Sequence, residues 1–197
     1  MRVIVFDTET TGLRPGHICQ LAYLVAEDPG AGGVVDAKNM YFAVPHVPEG
    51  AAKIHGLTAD ALKSLSGGKG FKDRAGEIED AFGGCDLWIA HNVDFDRSFL
   101  LAEFARAGRA PREARNYCTM RELTAECKLP SSRPGMPYKF PTLAQAAKHL
   151  KIADESIRRC CVDVFGDCTS NGFHDARYDA AAAYLCFLAA LRLGLAP

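Results

Sequence analysis

Residues 2–7, RVIVFD, form a nearly continuous apolar run that ends in acids and threonines, the pattern of a central strand buried on both faces. A second strand is expected over 18–26 and a third over 39–44. The glycine-rich DPGAGGVVDAKN lies between them as a turn, and the short connections predict an antiparallel meander of three strands. After Thr58 the period changes. Helical spacing predicts helices over 58–65 and 71–82, separated by SGGKG, followed by a short apolar strand at 87–90. Asp94 reads as the N-cap of a helix whose Phe95, Phe99, Leu100 and Phe104 share one face and which Gly108 stops. A short strand at 116–118 leads into a helical stretch over 119–128, and residues 130–141 form a loop holding four prolines. Thr142 caps a helix running to about residue 150; residues 153–173 read as irregular, and 176–193 as an alanine-rich terminal helix. With no repeat and no linker, residues 1–197 are expected to form one domain. Strands first, then alternating helix and strand, predict an α/β or α+β layer structure with a mixed sheet.

Composition narrows the class. At 48% hydrophobic and 24% charged, the chain lies outside the collagen-like, disordered and coiled-coil classes. No apolar stretch reaches the ~18 residues of a spanning helix, and the chain opens on a strand instead of a signal peptide, so a cytoplasmic protein without a membrane partner is expected. The formal net charge of −1 argues against a strongly basic nucleic-acid-coating protein, but it hides an asymmetry. Residues 104–159 carry 12 Lys/Arg against 5 Asp/Glu, whereas residues 1–103 carry 9 against 15. One part can attract phosphate; the other concentrates carboxylates. The eight cysteines show no CxxC pair and are expected to be reduced and mostly buried.

Three short strings carry candidate chemistry. In the first, Asp7 and Glu9 stand two apart at the end of the central strand, so both carboxylates project from one face, an arrangement eased by a Mg²⁺ or Mn²⁺ ion between them. A solvated strand end explains the same pair. In the second, HNVDFD, Asp96 falls in the first turn of a helix, where acids are favoured without any function. In the third, HDARYD, His174 lies on the lead-in to the terminal helix and Asp179 about one turn inside it. Cys160, Cys161, Cys168 and His174 do not make a convincing zinc site, because adjacent cysteines do not reproduce the usual spacing of a zinc knuckle.

Taken together the strings are more specific. FDTETTG, HNVDFDRSFL and HDARYDA occur in that order over almost the whole chain, and the set resembles the DEDDh, or DnaQ-like, 3′–5′ exonuclease superfamily. The matching positions are Asp7, Glu9, Asp96 and Asp179, with His174 in the HxAxxDA form of the third motif. The likeness extends to Ile54-His55-Gly56-Leu57-Thr58, similar to the IHGLT loop of the proofreading branch, and to Tyr117-Cys118-Thr119-Met120. It departs at residues 153–173, which are longer and richer in cysteine than the usual run into the third motif.

The resemblance implies a ribonuclease H-like fold, a five-stranded mixed sheet flanked by helices with its first three strands antiparallel. It also implies two divalent cations, Mg²⁺ or Mn²⁺, bound by four metal ligands. Asp7 would bridge both, Glu9 and Asp179 would hold the ion that activates water, Asp96 the second, and His174 would be the general base. Thr10 and Thr11 are candidates to bind the terminal 3′ hydroxyl, with Gly12 permitting close approach and His55 and Phe95 flanking the base. The basic region from Arg106 to Arg159 is a candidate track for phosphates. The expected partner is the 3′ end of a nucleic acid: single-stranded DNA first, RNA as in ribonuclease T and oligoribonuclease relatives second, with association to a DNA polymerase a further partner. A rival of a different class is a non-catalytic, nucleic-acid-binding accessory module; it would be marked by loss of one of the acids, and none is lost.

Overall fold

The computed structural model describes residues 1–168 and 172–197. Five strands form one mixed sheet: β1 (Arg2–Thr10), β2 (Ile18–Glu27), β3 (Val34–Tyr41), β4 (Leu87–Ala90) and β5 (Arg115–Cys118), in the order β3-β2-β1-β4-β5. β1 pairs antiparallel with β2, and β2 with β3, while β4 and β5 run parallel to β1. This is the five-stranded mixed sheet expected from the sequence. The central place of β1 explains its apolar run. Val3 and Val5 face one core and Ile4 and Phe6 the other, all four fully buried.

The helices are α1 (Glu49–His55), α2 (Ala59–Leu65), α3 (Ala75–Gly83), α4 (Val93–Arg106), α5 (Thr119–Glu122), α6 (Thr124–Cys127), α7 (Leu143–His149), α8 (Asp154–Phe165) and α9 (Ala176–Arg192). On one face of the sheet, Phe6, Phe82 and Trp88 pack edge to face, with ring centroids 5.0 to 6.3 Å apart, under α3 and α4. On the other, α7, α8 and α9 cover Val3, Val5, Leu87 and Ile89. Small residues set how close α9 lies: Ala176 and Ala180 pack on Ala22 of β2, the residue paired with Asp7.

Several expectations are corrected. The third strand begins at Val34 and ends at Tyr41, against the expected 39–44, because the turn closes early: Ala31 and Gly32 donate to the Asp28 carbonyl, and VVDAK is already paired with β2. The expected helix over 71–82 is a 3-10 turn, Phe71–Asp73, followed by α3, and the stretch over 119–128 is two single turns. α1 was not expected. Asp94 does not cap α4. Asn92 takes the N-cap position at φ 74, a left-handed conformation that asparagine tolerates better than most residues, without a capping bond from its side chain, while Asp94 in the first turn pairs with Arg121.

The largest correction is α8, a twelve-residue helix within the stretch read as irregular. Ile157, Cys160, Cys161, Val164 and Phe165 repeat at helical spacing and join the α9 core, and Gly166 ends the helix at φ 81. Residues 169–171 of that stretch lie outside the described residues. The expected cap at Thr142 holds: its hydroxyl accepts from Gln145 N at 3.2 Å, and the Gln145 side chain accepts from Thr142 N at 3.0 Å. All eight cysteines are free thiols, six of them buried. Among the described residues no helix is long and apolar enough to cross a membrane.

Candidate active site

The alternation that places Val3 and Val5 under α9 carries on to Asp7 and Glu9. Beyond the apolar core, the same face of β1 therefore presents two carboxylates in place of two valines. Asp96 comes from the first turn of α4 and Asp179 from the fourth position of α9. All four acids line one cleft of about 560 Å³, together with Thr8, Thr10, Thr11, Gly12, His55, Phe95 and His174. Every residue proposed for the site from sequence is thus brought to one place.

Each acid is held differently. Asp96, 2% exposed, accepts two hydrogen bonds on Oδ1, from Thr8 N at 3.0 Å and Thr8 Oγ1 at 2.8 Å, which tie α4 to β1. Asp179 accepts from the backbone N of His174 at 3.0 Å through Oδ2, while its Oδ1 is buried with no hydrogen-bond partner. Burial drives the acidities upward. Desolvation, reinforced by Asp96, Asp179 and Glu9, holds Asp7 well above the ordinary carboxylate range. Burial and the neighbouring Asp179 and Asp96 push Glu9 to about 8. Burial pushes Asp96 to about 7 against the opposing bonds from Thr8, and pushes Asp179 to about 7 against the bond from His174.

Such a cluster is costly unless protons or cations neutralise it. An orphaned carboxylate oxygen and an all-oxygen set of acids suit hard divalent cations such as Mg²⁺ or Mn²⁺. Glu9, Asp179 and His174 each bring a ligand-capable atom within 4.8 Å of the others. Among the described residues, the cysteines of the rejected zinc site form no such group. His174 is exposed and sits at φ 75, a left-handed conformation uncommon for a residue with a side chain, anchored by its bond to Asp179.

The candidate substrate contacts divide. Phe95 is half-buried, tilted against Phe99 at 5.0 Å, and faces the cleft with its remaining surface. His55 has both ring nitrogens engaged. Nδ1 accepts from Leu57 N at 3.1 Å, so Nε2 carries the proton and donates to the Thr10 carbonyl at 3.3 Å. Only the face of that ring remains for a ligand. The two threonine hydroxyls close a turn: Thr10 Oγ1 donates to the Gly12 carbonyl at 2.8 Å, and Thr11 Oγ1 bridges the backbone of His17, accepting from N at 3.0 Å and donating to O at 3.3 Å. These bonds fix the shape of the loop, and each hydroxyl oxygen keeps a lone pair free to accept. A Cβ at Gly12 would meet nothing within 4 Å, and its φ is ordinary, so the protein itself sets no requirement for glycine there.

Two contributors were not singled out from sequence. Thr8 orients Asp96, and its signal was its place between the two acids. His91 lines the cleft with Nε2 donating to the Pro141 carbonyl at 3.0 Å and Nδ1 3.0 Å from Thr119 Oγ1; burial lowers its pKa and favours the neutral ring. Leu13 and Ile54 stand exposed at the rim.

The chain is also similar to known proteins. The chain is 31% identical over 161 residues to the DNA polymerase III subunit epsilon of Buchnera aphidicola subsp. Schizaphis graminum, covering 77% of this chain and 64% of that protein. It is 31% identical over 115 residues to the PolC-type DNA polymerase III of Bacillus cereus, covering 53% of this chain and 7% of that protein. The chain therefore spans less than two thirds of either relative. Among solved structures, Exonuclease X in complex with 5′ overhanging duplex DNA superposes with a TM-score of 0.62 at 20% identity, covering 98% and 93% of the two chains. E. coli Exonuclease I in complex with a dT13 oligonucleotide superposes at 0.68 with 19% identity, covering 98% and 42%. At these identities the structural likeness establishes the fold. The family model RNase_T, described as an exonuclease, matches residues 4–187, almost the entire chain, and this protein belongs to that exonuclease family.

Proposed function

We propose that the protein removes nucleotides one at a time from the 3′ end of single-stranded or frayed DNA, releasing nucleoside 5′-monophosphates. The observation that carries this reading is the convergence of Asp7, Glu9, Asp96 and Asp179 on one cleft, with Asp179 Oδ1 left unpartnered beside His174. Asp7, Glu9 and Asp179 would hold one divalent cation, and Asp7 and Asp96 a second. When bound, such a pair lowers the pKa of a water and stabilises the charge on a departing 3′ oxygen.

The chain's own residues supply the rest. His174, exposed at the mouth of the cleft and tethered through its backbone to Asp179, takes the proton from the attacking water as the general base. Thr8 keeps Asp96 in position. The loop from Thr10 to Gly12 receives the terminal sugar, and Phe95 with the face of His55 flanks its base. DNA is favoured over RNA because the two relatives by sequence are DNA polymerase III proteins. The same likeness supports association with a DNA polymerase.

The test uses DNA and RNA oligonucleotides labelled at the 5′ end, incubated with Mg²⁺, Mn²⁺ or EDTA. A ladder shortening from the 3′ end of the DNA, mononucleotide product and no reaction in EDTA are expected. Faster shortening of the RNA would move the substrate to the ribonuclease T type. No cation-dependent shortening of either would overturn the enzymatic reading.

A further inference from the structure

Residues 127–153 contain five Lys/Arg and no Asp or Glu. Three of the cations, Lys128, Arg133 and Lys139, stand exposed on the loop joining α6 to α7. Among the described residues none of the three makes an ion pair, whereas Arg97, Arg109, Arg121 and Arg158 are each matched to a carboxylate, Glu113, Glu79, Asp94 and Asp154 respectively. What sets the loop apart is that its three cations stand without a single Asp or Glu in the surrounding stretch.

The loop has a defined shape. Pro130 and Tyr138 form an antiparallel bridge, Lys139 N donates to the Leu129 carbonyl at 2.9 Å, and Ser131 N donates to the Pro137 carbonyl at 3.3 Å. The small hairpin encloses a depression of about 470 Å³ whose lining includes Arg133, Met136, Lys139 and Phe140. Phe140 is 45% exposed, an aromatic ring offered to solvent amid positive charge. The next residue, Pro141, is buried, and its carbonyl accepts the hydrogen bond from His91 Nε2 at 3.0 Å. A carbonyl can only accept, so Nε2 carries the proton, and Nδ1 lies 3.0 Å from Thr119 Oγ1. His91 lines the acidic cleft, so one side chain fastens the end of the basic hairpin to the cleft wall.

We propose that this hairpin is a second binding subsite, in which Lys128, Arg133 and Lys139 contact backbone phosphates on the 5′ side of the terminal nucleotide and Phe140 stacks on a base. The ligand is single-stranded nucleic acid, because a base in a duplex has no bare face to offer. Unpaired cations neutralise phosphates at the smallest cost, and the stack is sequence-tolerant, as continued removal of nucleotides requires. His91 is a positioning residue in this arrangement. The inference rests on the exonuclease reading of the adjacent cleft.

The experiment measures binding of fluorescein-labelled dT12 in EDTA by anisotropy, over a salt series, for the wild type, Phe140→Ala, Phe140→Tyr and the triple variant K128A/R133A/K139A. Phe140→Ala should weaken binding about five- to 150-fold, the worth of one base–aromatic stack, and Phe140→Tyr should restore most of it. Loss of three phosphate contacts should lower the slope of log affinity against log salt by about 2. Cleavage is read as the ratio of kcat/KM for dT12 to that for the p-nitrophenyl ester of thymidine 5′-monophosphate, which has no upstream strand. That ratio should fall in the variants by a factor similar to the loss of affinity. Equal losses on the two substrates would mean the loop acts only through the cleft wall and would overturn the subsite. So would wild-type affinity and salt slope in the variants, which would leave the surface to a protein partner. A wild type inactive on both substrates would sink the reading of the cleft, while the anisotropy still reports on the hairpin.

Discussion

Asp175 and Asp179 stand one turn apart at the start of α9, and their surroundings are opposite. Asp175 caps the helix and is saturated with donors: Arg177 N at 3.0 Å, Arg177 Nε at 3.0 Å and Nη2 at 2.7 Å, and Gln20 Nε2 at 3.1 Å. Burial pushes its carboxyl up, yet the bonds from Arg177 outweigh burial and leave it below the ordinary aspartate value. Asp179 receives one backbone bond, keeps one buried oxygen without a partner, and is pushed to about 7. A buried acid supplied with donors by its own chain holds the fold together. One left short of donors among other acids is arranged for something the chain does not contain.

Substitution separates the two roles most sharply. Asp179→Asn should lower the exonuclease rate by about 10⁴-fold, because charge stabilisation worth several kcal/mol is lost and each 1.36 kcal/mol is tenfold. The melting temperature of the metal-free variant should stay level or rise, since a carboxylate is removed from a crowded cluster; a large fall would place Asp179 with the structural acids. His174→Ala should cost about 10²–10⁴-fold in turnover while Mn²⁺ binding, followed by calorimetry, persists. Arg177→Leu should act in the opposite way. It strands Asp175 in a buried setting at a cost of about 3–5 kcal/mol, lowering the melting temperature by roughly 10 °C.

A pH series probes the same contrast more gently. Glu9, Asp96 and Asp179 have folded values raised to between about 7 and 8, so between pH 5 and 8 the folded, metal-free protein holds protons that the unfolded chain has released. Stability therefore falls as pH rises through that window. The metal-free melting temperature should drop by roughly 10 °C from pH 6 to pH 9, and saturating Mg²⁺ or Mn²⁺ should flatten the curve. Asp175, with its lowered value, contributes only a loss below about pH 4. The smallest expected effect is that of Thr8→Val, which removes the 2.8 Å bond to Asp96 and leaves the backbone bond in place. About tenfold weaker Mn²⁺ binding is expected by calorimetry; an unchanged affinity would show that the backbone alone orients Asp96.

Much of this was legible in the sequence where pattern and chemistry coincide. The run RVIVFD marks a strand buried on both faces, and its two-residue period alone places Asp7 and Glu9 together. Asp96 and Asp179 were legible only through the three strings jointly, since no local pattern brings α4 and α9 to the end of β1. The misses have physical causes. α8 is rich in charge and cysteine, so its apolar stripe is thin; Arg158 and Arg159 interrupt the reading, and the stripe becomes clear only against α9. The early start of β3 was hidden because glycines and a polar, half-exposed edge strand look alike in sequence. The tie from His91 to Pro141 spans fifty residues, and no local pattern marks it.

The alternation along β1 also bears on how faithfully the chain folds. Asp7 pairs with Ala22 and Glu9 with Gln20, while Phe6 and Ile4 point into the aromatic layer beneath α3 and α4. A slip of the pairing by one residue would drive both carboxylates among Phe82 and Trp88 and turn Phe6 out beneath α9. Buried, unpaired carboxylates there would cost more than the few kcal/mol that separate folded from unfolded proteins. The residues that form the acidic cleft thus also proofread the strand register, so a molecule with its site misassembled would fail to fold at all.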